Sequence, residues 1–122
     1  MISFYVDVLG CRVERSLPAI GLTQLRAGSC LLDLVDVDGE LGRHGGPAPT
    51  AEGNNLEHFC FRIEPFIHDE IKDHLLNHSV APGNLELRYG AEGMGPSMYI
   101  CDPDGNTIEL KGPPDLSNSP SN

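Results

Sequence analysis

Short stretches in which hydrophobic and polar residues alternate recur along this chain, and each of them predicts a β-strand. Two other stretches follow the helical period and predict helices over residues 3–9 and 66–79. In the longer helix, Ile67, Ile71 and Leu75 recur every four residues and are expected to form its buried stripe. The strands are predicted over residues 11–16, 22–26, 29–37, 56–64, 84–89, 97–101 and 106–111.

The order of these elements predicts an α+β fold made of two related units. Residues 56–112 have the order strand, helix, strand, strand, strand, and residues 1–37 have the same order without its leading strand. Between them, residues 38–55 are rich in glycine and proline and form a connector. We therefore expect a single domain over residues 1–112, followed by a polar, disordered tail over residues 113–122.

Composition narrows the class of protein. The chain has 122 residues, enough to bury a core without metal or disulfide support. Its formal net charge of −10 argues against binding to nucleic acid or to anionic membranes, since both need a basic patch. Cys11, Cys30, Cys60 and Cys101 are widely spaced, and no secretory signal precedes them. We expect free, buried thiols in a reducing cytoplasm.

Alternation along two predicted strands places titratable side chains on the more polar face. Glu109 points away from Ile108 and Leu110, although Glu is depleted in strands. His58 likewise points away from Phe59, which belongs to the packing face of its strand. A carboxylate in mid-strand makes physical sense if it projects into a cavity where it has a partner. His58 and Glu109 are therefore candidates for a functional site.

Three segments of the chain are similar to those of a known family: FYVDVLG at 4–10, EHFCF at 57–61 and DPDGNTIE at 102–109. In this order they resemble the vicinal oxygen chelate superfamily of glyoxalases, bleomycin-resistance proteins and extradiol dioxygenases. The resemblance implies paired βαβββ units whose mixed sheets curve into a cup around a metal site. It implies that the absent leading strand usually carries a metal ligand. It also favours a homodimer, since many members build each cup from two chains.

The resemblance implies that His58 and Glu109 are ligands of a divalent ion, which is zinc, iron, nickel, cobalt or manganese. Asp33 lies in the matching strand of the first unit and is the third candidate ligand. An acidic residue at that position favours a lyase or isomerase. The alternative is a hydrogen-bonded His58–Glu109 pair without metal, with Asp33 as a polar residue that lines the cup.

The implied reaction is proton abstraction next to a metal-chelated carbonyl of a small oxygenated metabolite. Glu109 or Asp33 would act as the base. Tyr99 and Arg88 are candidates for substrate binding, and the glycine-rich residues 90–95 are a candidate lid. Two alternatives stay open: a metal-free small-molecule-binding protein of the bleomycin-resistance type, and an extradiol-type dioxygenase.

Overall fold

The structure, a computed structural model, describes residues 1–114. The chain divides into two compact units, Met1–Asn55 and Leu56–Asn122, and each contains one open sheet. Of the predicted tail, residues 115–122 lie outside the described residues. No helix within residues 1–114 is long and apolar enough to cross a membrane.

The first unit is a three-stranded antiparallel sheet that follows a helical turn. The π-helical turn Phe4–Val8 leads into β1 (Arg12–Leu17), β2 (Leu22–Ala27) and β3 (Cys30–Val35). The spatial order is β1-β2-β3. Gly10 ends the turn with a φ of 73°, a left-handed conformation that glycine adopts without strain. Among the described residues, the first strand of this unit is β1, which follows the turn.

A short helix, α1 (Glu40–His44), interrupts the connector. Tertiary contacts override the low helix propensity of the glycines in this segment. Arg43 Nε donates a hydrogen bond of 3.0 Å to the carbonyl of Asp38. Gly42 packs so closely that a Cβ there would lie 2.0 Å from the carbonyl oxygen of Asp36.

The second unit is a complete βαβββ unit, as predicted. It consists of β4 (Phe59–Arg62), α2 (His68–Asn77), β5 (Glu86–Gly90), β6 (Gly93–Cys101) and β7 (Thr107–Lys111). The strand order is β4-β7-β6-β5, with β4 parallel to β7 and the other pairs antiparallel. Since β7 lies between β4 and β6, its side chains are at the centre of the sheet.

The apolar face of this sheet supplies most of the buried core of the second unit. Met98 and Ile100 of β6 are buried there with Ile108 and Leu110 of β7. In α2, Leu75 is buried as predicted.

The predicted stripe of α2 is wrong at Ile67, which is 43% exposed. The reason is that α2 begins at His68. Ile67 has an extended backbone and is not part of the helical face.

The cysteines are free, but their predicted burial is wrong for three of the four. Cys11 is buried, whereas Cys30, Cys60 and Cys101 are exposed. Cys60 shares the polar face of the second sheet with Glu109, and Cys30 and Cys101 lie at strand ends. Burial raises the pKa of the Cys11 thiol.

The glycine-rich residues 90–95 are a β-hairpin, so the prediction of a lid is wrong. Gly90 pairs with Gly93, and Arg88 pairs with Gly95. Only two residues, Ala91 and Glu92, form the turn between β5 and β6. The sequence suggested a loop because glycine is rare in strands, and here Gly90 and Gly95 make room for the side chain of Lys111.

Candidate functional site

The register of the second sheet brings four of the predicted site residues to one face. Glu109 lies opposite Cys60 of β4 and opposite Tyr99 of β6. His58 immediately precedes β4 and its ring nitrogen reaches Glu109. Arg88 reaches the same face from β5 and stacks on Tyr99. This face is the candidate site.

The turn that precedes β7 sets the position of Glu109. The buried side chain of Asp102 accepts hydrogen bonds from the backbone N–H groups of Asp104 and Asn106, both at 2.9 Å. It also accepts a bond of 2.8 Å from Asn106 Nδ2. Gly105 has a φ of 82°, which few other residues adopt. A turn held in this way keeps β6 and β7 in one register.

His58, which immediately precedes β4, faces Glu109 of β7. His58 Nε2 lies 3.5 Å from Glu109 Oε1, and Glu109 is only 7% exposed. The other ring nitrogen, Nδ1, forms a short hydrogen bond with the carboxylate of Glu57. This bond to Glu57 raises the pKa of His58; partial burial opposes the rise, and the charge of Glu109 adds to it.

These contacts decide where protons can lie. An ionised carboxylate only accepts, so the hydrogen on His58 lies on Nδ1, and neutral His58 presents a lone pair on Nε2. Glu109 Oε1 also presents only lone pairs when it is ionised. Two such atoms repel each other unless a proton or a cation lies between them.

The spacing of the two atoms fits a metal ion. Two ligands of a tetrahedral ion, each about 2.0–2.2 Å from it, lie about 3.3–3.6 Å apart. The 3.5 Å between His58 Nε2 and Glu109 Oε1 agrees with that spacing. A ligand histidine also commonly donates its second N–H to a carboxylate, as His58 does to Glu57. The pair therefore fits two ligands of a divalent ion.

Ser97 links Glu109 to Arg88. Arg88 donates a hydrogen bond of 2.9 Å to Ser97 Oγ, and Ser97 donates one of 2.7 Å to Glu109 Oε2. A guanidinium cannot accept, so the hydroxyl hydrogen of Ser97 is directed to Glu109. Arg88 is held in turn by Glu86, at 2.7 Å. The network fixes Oε2 of Glu109, while Oε1 faces His58.

The ring of Tyr99 lies between the side chains of Arg88 and His58. The guanidinium of Arg88 is 4.4 Å from the centre of its ring, which is a cation–π contact. On the other side the ring of His58 meets it edge-on, with centroids 5.4 Å apart. The ring of Tyr99 therefore forms part of the wall of the site.

Asp33 belongs to the first unit. It lies opposite Gln24 in the register of β2 and β3, and Gln24 Nε2 donates to it at 3.0 Å. Leu32 and Leu34 alternate with it and are less exposed, as the pattern predicts. Throughout residues 1–114, no group of three or more His, Cys, Asp or Glu side chains is arranged to hold a metal ion.

Sequence reasoning missed two residues of this network, Ser97 and Glu57. Strand parity put Ser97 on the same face as Tyr99, but its partner could be found only from the register. Glu57 was visible only as the neighbour of His58 in the EHFCF segment.

The fold is that of a glyoxalase-like α+β protein. Solved structures with this architecture align over most of the chain. A virulence protein from Salmonella typhimurium aligns with a TM-score of 0.71 and 25% identity over 93% of this chain and 85% of that one. A lactoylglutathione lyase from Agrobacterium tumefaciens aligns with a TM-score of 0.59 and 24% identity, covering 91% and 81%.

A glyoxalase/bleomycin resistance protein/dioxygenase from Alicyclobacillus acidocaldarius aligns with a TM-score of 0.63 and 21% identity, covering 93% and 80%. The chain thus has the glyoxalase-like fold that the resemblance of its motifs implies. No protein-family model matches the chain, and no curated protein matches it.

Proposed function

We propose that this protein is a divalent-metal-dependent lyase or isomerase that acts on a small oxygenated metabolite. One observation carries the proposal: His58 Nε2 and Glu109 Oε1 face each other at 3.5 Å. Glu57 and Ser97 already bond the other polar atom of each side chain. The likeness in fold to a lactoylglutathione lyase supports this class of reaction.

The proposed metal ligands are His58, Glu109 and Asp33. Imidazole nitrogen and carboxylate oxygen suit zinc, iron, nickel, cobalt and manganese, so the donor set alone does not select one of them. A bound divalent ion would polarise a substrate carbonyl and so acidify the neighbouring C–H bond.

Glu109 is the proposed base, with Asp33 as the second candidate. Because Ser97 holds Oε2, the carboxylate of Glu109 keeps a fixed direction, and it can take a proton from the substrate and return it. Its burial at the centre of the sheet keeps most water away from that proton. Tyr99 and Arg88 are proposed to contact the substrate beside it.

The metal content of protein purified without chelator tests this proposal. We expect about one divalent ion per chain, as in a single mononuclear site. His58→Ala and Glu109→Ala should abolish binding, and Asp33→Ala should weaken it. His78→Ala, at the exposed end of α2, is the control and should retain the metal. Retention of metal by both the His58 and the Glu109 variants would refute the proposed site.

A second candidate function is the binding of a small molecule without metal or turnover. It is favoured by the finding that residues 1–114 contain no cluster of three metal-binding side chains. In that case a proton on His58 would bridge to Glu109, and the Arg88–Tyr99 pair would contact the ligand. Protein that binds no metal under any loading condition would favour this second function.

A further inference from the structure

The strand β5 forms one edge of the second sheet and exposes apolar side chains. Within the described residues it pairs only with β6. Leu87 and Tyr89 lie on the face opposite to that of Arg88, and they are 43% and 80% exposed. Leu85, just before the strand, is exposed as well. Edges of this kind are usually covered or paired in stable proteins.

The backbone N–H and C=O groups of Leu87 point away from β6, toward the open edge. Gly90 and Gly93 close a two-residue turn and so form a hydrogen-bonded pair, and such pairs alternate with non-hydrogen-bonded ones along antiparallel strands. By this alternation Leu87 and Pro96 form a non-hydrogen-bonded pair. Pro96 agrees with this, since it has no N–H and its carbonyl accepts from Gly112, beyond β7, at 2.9 Å. A further strand can therefore pair with β5 at Leu87.

The charges of β5 are complementary to those of the same strand in a second copy. In an antiparallel pair with its two-fold axis at Leu87, Glu86 lies opposite the partner subunit's Arg88. These two residues then form a non-hydrogen-bonded pair, in which the side chains are closest. Within one chain Arg88 already donates to Glu86 at 2.7 Å, so two copies would bring four charges together with alternating signs. The acidic net charge of the chain is therefore balanced locally at this edge.

We propose that β5 binds the β5 strand of a second copy of this chain, in an antiparallel pair centred on Leu87. The pair joins the four-stranded sheets of the two copies into one continuous sheet. On the apolar face, Tyr89 packs against the partner subunit's Leu85, and the contact buries side chains that a single chain exposes.

The interface also reaches the candidate site. Arg88 orients Ser97, and Ser97 donates to Glu109. In the pair, the partner subunit's Glu86 lies beside Arg88, so the second copy contributes a carboxylate to this network. Neither a metal nor a substrate is needed for the pairing.

Sedimentation of metal-free protein with exchanged charges tests the interface and its register. The wild-type chain should sediment at about twice 13.2 kDa. Glu86→Lys and Arg88→Glu each place like charges opposite each other in a homodimer, and each should weaken association about 10- to 100-fold. An equimolar mixture of these two variants restores both opposite-charge pairs and should dimerise again. Glu70→Lys makes the same charge change on the exposed side of α2 and should dimerise like the wild type.

A wild-type protein that stays at 13.2 kDa at every concentration would overturn the interface. Equal association of Glu86→Lys and Glu70→Lys would overturn it too, because the copies would then meet elsewhere. A mixture of the two folded β5 variants that stays monomeric would refute the register centred on Leu87. If Arg88→Glu does not fold, the comparison of Glu86→Lys with Glu70→Lys decides alone. Since the protein is metal-free, a failure of the proposed metal site leaves these results unaffected.

Discussion

At the scale of single residues, the direction of the Glu109 carboxylate depends on one buried hydroxyl group. Ser97 has no exposed surface, and no water can replace its hydrogen bond to Oε2 without a change in packing. Arg88 orients the hydroxyl by donating to its oxygen. Ser97 is therefore a positioning residue for the proposed ligand and base.

Replacing Ser97 by Ala should lower metal affinity about 10- to 100-fold, as for other residues that orient a metal ligand. The reason is that Oε2 of Glu109 loses its donor and the carboxylate gains freedom to turn away from His58. Titration calorimetry with zinc would measure the change. Ser29→Ala, at the exposed turn before β3, is the matched control. Unchanged affinity in Ser97→Ala would show that the hydroxyl does not position Glu109.

At this scale, the sequence predicted on which face of a strand a side chain lies better than it predicted which side chains are in contact. The alternation in 106–111 was enough to place Glu109 on the polar face, because the period of a strand is two. It could not show that Ser97 holds Glu109, since that contact depends on strand order and register. Nor could it show that the side chain of Glu57 turns toward the neighbouring His58. It also gave no sign that Lys111 is buried under the β5–β6 hairpin.

At the scale of elements, the hairpin of β6 and β7 determines the site. Its turn is stabilised by Asp102, whose side chain takes three hydrogen bonds from Asp104 and Asn106. If the turn loosens, Glu109 can lose its place opposite Tyr99.

Asp102→Ala should therefore destabilise the protein by about 1–3 kcal/mol, the cost of leaving such donors without their partner. Urea denaturation would measure the free energy of unfolding. Asp104→Ala, at an exposed position of the same turn, should change it by less than about 0.5 kcal/mol. Equal decreases in the free energy of unfolding of the two variants would mean that the hydrogen bonds accepted by Asp102 do not stabilise the turn.

The ends of elements were less predictable than their existence. β4 was predicted over residues 56–64 but spans Phe59–Arg62, because its partner β7 runs only from Thr107 to Lys111. The length of a strand is thus limited by a neighbour that lies about 50 residues further along the chain. α1 was missed for a similar reason, since contacts with Asp36 and Asp38 hold it.

At the scale of the whole molecule, both sheets are open and therefore have edge strands. β1 and β3 border the first sheet, and β4 and β5 border the second. Open edges are usually covered or paired in stable proteins. A second copy of the chain that pairs with one of these edge strands would cover it.

We therefore expect a homodimer. Analytical ultracentrifugation at micromolar concentration should give about twice the 13.2 kDa of one chain, since a symmetric pair is the commonest closed assembly. A single species of 13.2 kDa over the whole concentration range would rule out the dimer.

The central claim, that His58 and Glu109 bind one divalent ion, is tested most directly by anomalous diffraction from crystals grown with zinc. The account predicts a peak about 2.0–2.2 Å from both His58 Nε2 and Glu109 Oε1. The same data would show whether Asp33 supplies a further ligand. A peak bound only to the exposed histidines of α2, or none at any site, would contradict the claim.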